Sequence, residues 1–248
     1  MGRLENKTEF FYTDSGLVAV DSPVKLQILN LLREDSRSFD EIVKYTAKAK
    51  STISVHLNNL RTTELVEEMA DPADRRRKIY SLTSHYMGCS QKPVHEHYNS
   101  LLEKVGRNGK KDRFSFMESV YHALRFGFEA YGIDNVPIVK KIGCDIGVHL
   151  SSAFESETLE GLLEEIGYFL ESGGNGRLSM LKTEPLSLLI EDPFKAESMP
   201  VIGKPFCALS EGLIEGVLCG KLGREFRVRE KECYGTGHGH CMFEIMMP

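Results

Sequence analysis

Closely spaced helix signals near the N-terminus constrain the fold of this chain more than any other feature of its sequence. Ser22 followed by Pro23 predicts a helix start, because serine caps helix N-termini and proline is tolerated at the first helical position. Apolar residues at helical spacing extend this helix to about residue 34. Ser38 and Glu41 stand three residues apart, the arrangement of a capping box, and predict a short second helix.

A third helix is predicted over about residues 51–62, after a turn at 47–50. Ile53, Leu57 and Leu60 recur at i, i+4 and i+7 and form its buried face. Two β-prone runs, at 65–69 and 78–82, then bracket a basic turn. This order is that of a winged helix-turn-helix, in which the third helix enters the major groove of DNA and the hairpin forms the wing.

The exposed side of the third helix and the hairpin tip carry residue types that contact DNA. Hydroxyl, amide and small apolar side chains read base edges, whereas lysine and arginine contact phosphates. The predicted DNA-binding residues are Lys48, Lys50, Ser51, Thr52, Ser54, Val55, Asn58, Asn59, Arg61, Arg75, Arg76, Arg77 and Lys78. A solvated charge run on a generic helical bundle is the alternative for the basic tip, and the order of the elements argues against it. The predicted partner is double-stranded promoter DNA.

Charge is divided unevenly along the chain, whose net charge is −5. Residues 1–88 carry 13 Lys+Arg and 13 Asp+Glu, whereas residues 114–248 carry 12 and 20. Because DNA phosphates repel acidic surfaces, we expect the first domain to contact DNA. We predict a winged helix-turn-helix domain over 1–88, a helical linker and dimerisation segment over 89–113, and a cysteine-containing sensor domain over 114–248.

The composition is typical of a globular protein with two domains, at 248 residues, 41% hydrophobic and 27% charged. No run of about 18 uncharged apolar residues occurs, and the first residues lack the apolar segment of a signal peptide. We therefore expect a cytoplasmic protein with no membrane partner. In the second half, helical patterns near 115–131, 137–154, 158–171 and 205–221 accompany strands near 177–182, 185–191, 225–233 and 241–246. They predict a mostly α chain with a C-terminal α+β domain.

Cysteines crowd into the last part of the chain. Cys233 and Cys241 flank a glycine-rich turn that brings two thiols together, and Cys207 is the predicted third ligand of a tetrahedral Zn²⁺. The candidates for the fourth ligand are Glu184, Glu191, Glu197, His238 and His240. Two alternatives stay open: a reversible redox disulfide among Cys207, Cys219, Cys233 and Cys241, and inert buried thiols. Zinc and redox chemistry are compatible, because oxidation of thiolate ligands expels the metal.

The remaining cysteines differ in their expected surroundings. Cys144 and Cys219 fall in apolar helical segments, where a small buried hydrophobe is the expected role, although Cys219 stays among the redox candidates. Cys89 lies beside the predicted linker and is expected to be exposed.

The segment Ser-Thr-Ile-Ser-Val-His-Leu-Asn-Asn-Leu-Arg at 51–61, followed by Glu-Leu-Val at 64–66, resembles the recognition helix of ArsR-type regulators. The resemblance covers roughly residues 15–85. Many members of that family sense metals through cysteines close to the DNA-binding helices, and residues 1–88 of this sequence contain no cysteine. The resemblance therefore implies that sensing lies in the C-terminal half.

Three runs, beginning at Pro205-Phe206-Cys207, at Val228 and at Cys241-Met242-Phe243, resemble the vinyl reductase domain family over about residues 115–247. This implies an α+β domain that encloses a small-molecule pocket next to a metal site at Cys207, Cys233 and Cys241. An ArsR-type head joined to such a domain is similar to the MsvR family of transcription regulators of methanogenic archaea. That resemblance implies a homodimer that binds promoter DNA when reduced and alters its hold when the C-terminal thiols are oxidised.

Two other functions stay open. In the first, the chain is a repressor whose C-terminal pocket binds a small hydrophobic ligand while zinc is structural. In the second, the C-terminal domain is an enzyme such as a reductase, which is disfavoured because the sequence has neither a GxGxxG loop after a strand nor a GxSxG elbow. We expect a redox-responsive regulator without catalytic residues.

Overall fold

The computed structural model describes residues 7–74, 76–108, 113–173, 176–191 and 199–247. The chain forms two compact units, one of residues 1–93 with 132–135 and the other of residues 94–131 with 136–248. Among the described helices, none combines the length and the apolar content needed to cross a bilayer.

The N-terminal unit combines helices with two small antiparallel sheets. Its helices are α1 (Pro23–Glu34), α2 (Phe39–Thr46) and α3 (Lys50–Thr62). Its strands are β1 (Glu9–Thr13), β2 (Gly16–Val20), β3 (Arg37–Ser38), β4 (Val66–Ala70), β5 (Lys78–Leu82), β6 (His85–Ser90) and β7 (Ile133–Asp134). The sheets run β3-β5-β4, which contains the wing, and β2-β1-β6-β7. The predicted winged helix-turn-helix is confirmed.

Local sequence explains how the helix-turn-helix begins and turns. The backbone N–H of Ser38 donates to Glu41 Oε2 at 2.8 Å and the N–H of Glu41 donates to Ser38 Oγ at 3.4 Å, so the capping box is formed. α2 ends at Ala47, whose left-handed backbone (φ 52°) turns the chain towards α3. Ile53 and Leu60 are fully buried in the core of this unit, which fixes the rotation of α3 about its axis.

The sheet that contains β1, β2, β6 and β7 is a finding that the sequence analysis does not predict. Polar residues occupy the inward positions of β1, because Glu9 and Thr13 are buried on either side of Phe11. Glu9 is stabilised there by Arg33, whose Nη2 lies 2.6 Å from Glu9 Oε2 and whose guanidinium stacks 3.7 Å from the ring centre of Tyr86. This buried ion pair hides the alternation that would otherwise indicate a strand.

The C-terminal unit is α+β, as predicted. Its helices are α4 (Glu96–Asn108), α5 (Arg113–Ala130), α6 (Val136–Leu150), α7 (Leu159–Ser172) and α8 (Ala208–Leu222). Its strands are β8 (Arg177–Thr183), β9 (Leu186–Glu191), β10 (Arg227–Glu232) and β11 (Cys241–Met246), arranged β10-β11-β9-β8 in one antiparallel sheet. The predicted end of α4 at Gly106 is wrong, because the helix continues through this glycine to Asn108.

α6 and α8 pack with their backbones in direct contact. A Cβ atom built on Gly212 would lie 2.0 Å from the carbonyl oxygen of Lys140, and one on Gly216 would lie 2.1 Å from that of Cys144. Lys140 Nζ also pairs with Glu211 Oε1 at 2.5 Å and Glu215 Oε2 at 3.0 Å, which ties the two helices together by charge. This contact fixes α8, whose first turn follows Cys207.

Candidate nucleic-acid interface and metal centre

The outward side of α3 is fully exposed. While its apolar residues are buried in the core, all of its predicted base-reading residues face solvent: Ser51, Thr52, Ser54, Val55, Asn58 and Asn59. Asn59 Oδ1 accepts a hydrogen bond from Lys25 Nζ, so its amide is already oriented within the unit. This face therefore offers hydroxyl, amide and methyl groups along one side of a helix, as direct readout of the major groove requires.

The predicted phosphate-contacting residues flank this helix and are also exposed. Lys50 pairs with Asp40 at 2.8 Å, Arg61 pairs with Glu68 at 3.2 Å, and Lys78 pairs with the same carboxylate at 2.8 Å. Exposed pairs of this kind contribute little to stability and can exchange for phosphate oxygens. Lys48, Arg76 and Arg77 are exposed too, whereas Arg75 lies outside the described residues.

Four side chains of the C-terminal unit converge on one buried point: Cys207, Glu230, Cys233 and Cys241. One ligand atom of each lies within 4.8 Å of the others. The sulfur atoms of Cys207 and Cys241 are 3.3 Å apart, and those of Cys241 and Cys233 are 3.7 Å apart. All six cysteines belong to the described part of the chain, and each carries a free thiol. We call these four residues the cysteine cluster.

Separate elements deliver the members of the cysteine cluster. Cys207 is the N-cap residue of α8, and Cys241 opens β11. Cys233 follows β10 and caps a short 3₁₀ turn at Tyr234–Thr236, where the N–H of Gly235 points at its sulfur from 3.4 Å. Gly235 must be a glycine, because a Cβ atom there would lie 2.5 Å from the carbonyl oxygen of Lys204.

Glu230 is held on β10 by backbone hydrogen bonds. Its Oε2 accepts from the N–H of Cys207 at 2.9 Å, and its own N–H donates to Glu211 Oε2 at 2.9 Å. β10 is an edge strand, and Glu215 likewise accepts from the N–H of Val228 at 2.9 Å. Two carboxylates of α8 therefore satisfy the open side of β10 and set the position of Glu230.

The cysteine cluster concentrates negative charge on one sulfur. Hydrogen bonds from the thiols of Cys207 and Cys241 hold the pKa of Cys233 far below its usual range. Hydrogen bonds with the other two thiols, together with burial, raise the pKa of Cys207. Burial and then the charge of Cys233 raise the pKa of Glu230 to about 8. Without a cation the cluster therefore retains protons, and a cation would displace them.

The cysteine cluster fits a zinc ion. Zn–S bonds of about 2.3 Å in a tetrahedron separate the sulfur atoms by roughly 3.8 Å, close to the observed 3.3 Å and 3.7 Å. Glu230 Oε1 is buried and has no hydrogen-bond partner among the described residues, which leaves it available as the fourth donor. Three sulfur donors and one carboxylate oxygen suit Zn²⁺ better than the oxygen-preferring Mg²⁺ or Ca²⁺.

The candidates for a fourth ligand predicted from the sequence do not join the cluster. His238 Nδ1 is hydrogen-bonded to Thr236 Oγ1 at 2.9 Å, and His240 Nε2 pairs with Glu232 Oε2 at 2.6 Å. Glu184 and Glu191 are exposed and lie outside the group, and Glu197 lies outside the described residues. The prediction missed Glu230, although an acidic residue at the buried parity of β10, two positions from the buried Val228, is a signal that could have identified it.

The remaining cysteines lie apart from the cluster. Cys219 is half-buried in α8, where its sulfur accepts from the N–H of Phe226 at 3.4 Å, and it is not a member of the group. Cys144 is half-buried in α6. The expectation that Cys89 is exposed is wrong, because it lies in β6 with 3% of its surface accessible and its thiol faces Asp134 Oδ2 at 3.8 Å.

An open groove lies between the end of α6 and α7 in the same unit. Its volume is about 650 Å³, and it is lined on the apolar side by Leu150, Phe154 and Phe169 and on the polar side by Glu164 and Glu165. The groove has the size of a small-molecule site.

Two family models match separate parts of the chain. Residues 22–68 match the model described as the bacterial regulatory protein, arsR family, and residues 186–246 match the vinyl-4-reductase domain. An uncharacterized protein of Methanocaldococcus jannaschii is 26% identical over 148 residues, which cover 59% of this chain and 83% of that protein.

Solved structures resemble the chain at low identity. A vinyl-4-reductase family protein from Methanocaldococcus jannaschii has a TM-score of 0.40 at 16% identity, with 62% of this chain and 96% of that chain covered. The phenol-responsive sensory domain of the transcription activator PoxR, bound to phenol, has a TM-score of 0.39 at 17% identity, with 79% and 90% covered.

Proposed function

We propose that this chain, which joins an ArsR-family helix-turn-helix domain to a vinyl-4-reductase domain, is a homodimeric transcription regulator of the cytoplasm. It binds promoter DNA through α3 and the wing, and the cysteine cluster controls that binding. The observation that carries the proposal is the exposed polar side of α3, which buried Ile53 and Leu60 hold in a fixed orientation. A generic bundle helix has no need to present amides and hydroxyls in this way.

Two substitutions separate base readout from phosphate contact. Asn58→Ala is expected to weaken binding to the cognate promoter by roughly 5- to 150-fold, with little effect on random DNA, because a lost base contact costs about 1–3 kcal/mol. Arg76→Ala is expected to weaken binding to both DNAs equally and to lower the slope of log K against log salt by about one. Fluorescence anisotropy at several salt concentrations measures both. Equal losses on cognate and random DNA for Asn58→Ala would contradict the assignment.

We propose that the cysteine cluster is a zinc site that oxidation can dismantle. Bound zinc would keep the thiols ionised and hold α8, β10 and β11 together at one point. A disulfide between Cys207 and Cys241 forms when the two thiols give up two electrons and two protons to an oxidant such as a peroxide. Their sulfur atoms are 3.3 Å apart, so a bond of about 2.05 Å needs only a small approach. Such a bond removes two ligands from the site.

The groove at α6 and α7 supports a second candidate, in which a small hydrophobic ligand rather than an oxidant is the signal. Its apolar side suits an aromatic or aliphatic compound, while Glu164 and Glu165 disfavour an anion. A panel of small aromatic compounds added to the DNA-binding assay distinguishes the two, because only a ligand-sensing regulator changes its affinity without a change in thiol count. We expect no turnover of reduced cofactors in either case.

A further inference from the structure

We infer that the exposed face of α5 is the surface through which two copies of this chain pair. The residues of this face, which we call the α5 stripe, are Met117, Tyr121, Leu124, Phe128 and Tyr131. They are spaced 4, 3, 4 and 3 residues apart, the heptad spacing of a helix seam that packs against another helix. The N–H of Tyr131 donates to the carbonyl of Gly127 at 3.0 Å, so the helical path reaches the last of them.

Most of the α5 stripe is open to solvent. Met117, Leu124, Phe128 and Tyr131 are exposed by 62%, 64%, 45% and 72%. At 3.6 residues per turn, these four side chains fall within about 60° of the helix circumference. Isolated exposed hydrophobic residues are common on proteins, but four of them aligned along one helix mark a contact surface.

The opposite face of α5 is fixed in the unit, so the α5 stripe is rigid. Phe126 is 2% exposed and Ala130 is fully buried. Glu129 Oε1 pairs with Lys204 Nζ at 2.8 Å, and the guanidinium of Arg125 lies 4.3 Å from the ring centre of Phe206. A surface held in place before association loses little conformational entropy when it is covered.

A second copy of the chain fits the α5 stripe better than another partner does. The stripe carries no charged residue, and Leu124 stands at its centre with Met117 and Tyr131 each seven residues away, so it is complementary to itself across a two-fold axis. Its four exposed side chains present on the order of 500 Å², more than half of the roughly 800 Å² that each subunit of a stable dimer buries. The exposed face of α4, within the segment predicted as the dimerisation helix, is polar apart from Leu102.

The inference rests on the proposed function in one respect, since a two-fold dimer places one recognition helix in each half of a palindromic site. The test uses the full chain and its mass in solution, measured by sedimentation. Leu124→Glu and Leu124→Lys are each expected to be monomeric, because both bury a charge at the axis. An equimolar mixture of the two is expected to recover the dimer, because the two-fold axis brings position 124 next to its counterpart. Tyr168→Glu, at a residue of α7 that is 76% exposed, is the matched control and is expected to stay dimeric.

Three results would overturn the inference: a monomeric wild-type chain, a Leu124→Glu variant that remains a dimer, or a mixture that stays monomeric. Each would mean that the α5 stripe receives a different partner. Circular dichroism checks that both variants are folded, as expected for a substitution at an exposed position. Promoter binding by the wild-type chain is measured alongside. A Leu124→Glu dimer that still binds promoter DNA refutes the inference and leaves the proposed function standing, whereas a wild-type dimer that binds no DNA does the reverse.

Discussion

Replacing Gly216 by alanine is expected to destabilise the C-terminal unit by about 3 kcal/mol or more. In an ordinary helix this change stabilises by roughly 0.5–1 kcal/mol, because alanine loses less backbone entropy than glycine. Here the added Cβ atom would lie 2.1 Å from the carbonyl oxygen of Cys144, so α6 and α8 must separate and their packing is lost. The sign of the effect therefore decides whether the two backbones touch. Urea denaturation followed by circular dichroism measures it.

Gly167→Ala is the matched control for this substitution. Gly167 also lies within a helix of the same unit, but the nearest atom to its added Cβ is Leu178 Cβ at 3.6 Å, an ordinary van der Waals distance. We expect Gly167→Ala to be neutral or slightly stabilising. If Gly216→Ala were as stable as the control, the close contact between α6 and α8 would be wrong.

Substitution of Cys233 by serine is expected to abolish zinc binding and to destabilise the C-terminal unit by at least about 3 kcal/mol. Cys233 is fully buried and is the thiol that carries the charge of the cluster, so a serine hydroxyl leaves three ligands and no thiolate at its centre. Glu230→Gln is expected to lower the zinc affinity by at least about 10- to 100-fold, the loss that changing an outer-shell partner already causes. Metal analysis of protein purified without oxygen, with a thiol count and a thermal melt, measures these changes.

Cys219→Ser provides the control, because Cys219 is a half-buried cysteine of the same unit that lies outside the cluster. It is expected to keep one zinc per chain and the wild-type melting temperature to within a few degrees. Zinc retained in Cys233→Ser, or lost in Cys219→Ser, would show that the ligand set is wrong.

Much of the fold could be predicted because local signals agreed with the tertiary structure. The capping box at Ser38 and the apolar spacing of Ile53, Leu57 and Leu60 each reflect a physical requirement that the structure satisfies locally. The sheet built on β1 escaped prediction because Glu9 and Thr13 are buried there. The stability of Glu9 depends on Arg33, which is distant in sequence, and no local pattern announces such a partner.

The cysteine cluster was predicted in three of its four members for a similar reason. Cys233 and Cys241 are joined by a short turn, and Cys207 could be associated with them as a nearby cysteine. The fourth member, Glu230, depends on how β10 is aligned against α8, where Glu211 and Glu215 bind its backbone. Nearby histidines were therefore attractive candidates, but their partners are Thr236 and Glu232.

The most direct test of the account is the affinity of the reduced and oxidised chain for promoter DNA. A labelled promoter fragment is titrated with the chain under strictly anaerobic conditions, and the titration is repeated after treatment with peroxide and again after reduction. We expect the reduced chain to prefer the promoter over random DNA of equal length, and oxidation to change its Kd by at least about tenfold, or 1.4 kcal/mol, reversibly. A reduced chain that binds both DNAs equally, or a Kd that oxidation leaves unchanged, would contradict the account.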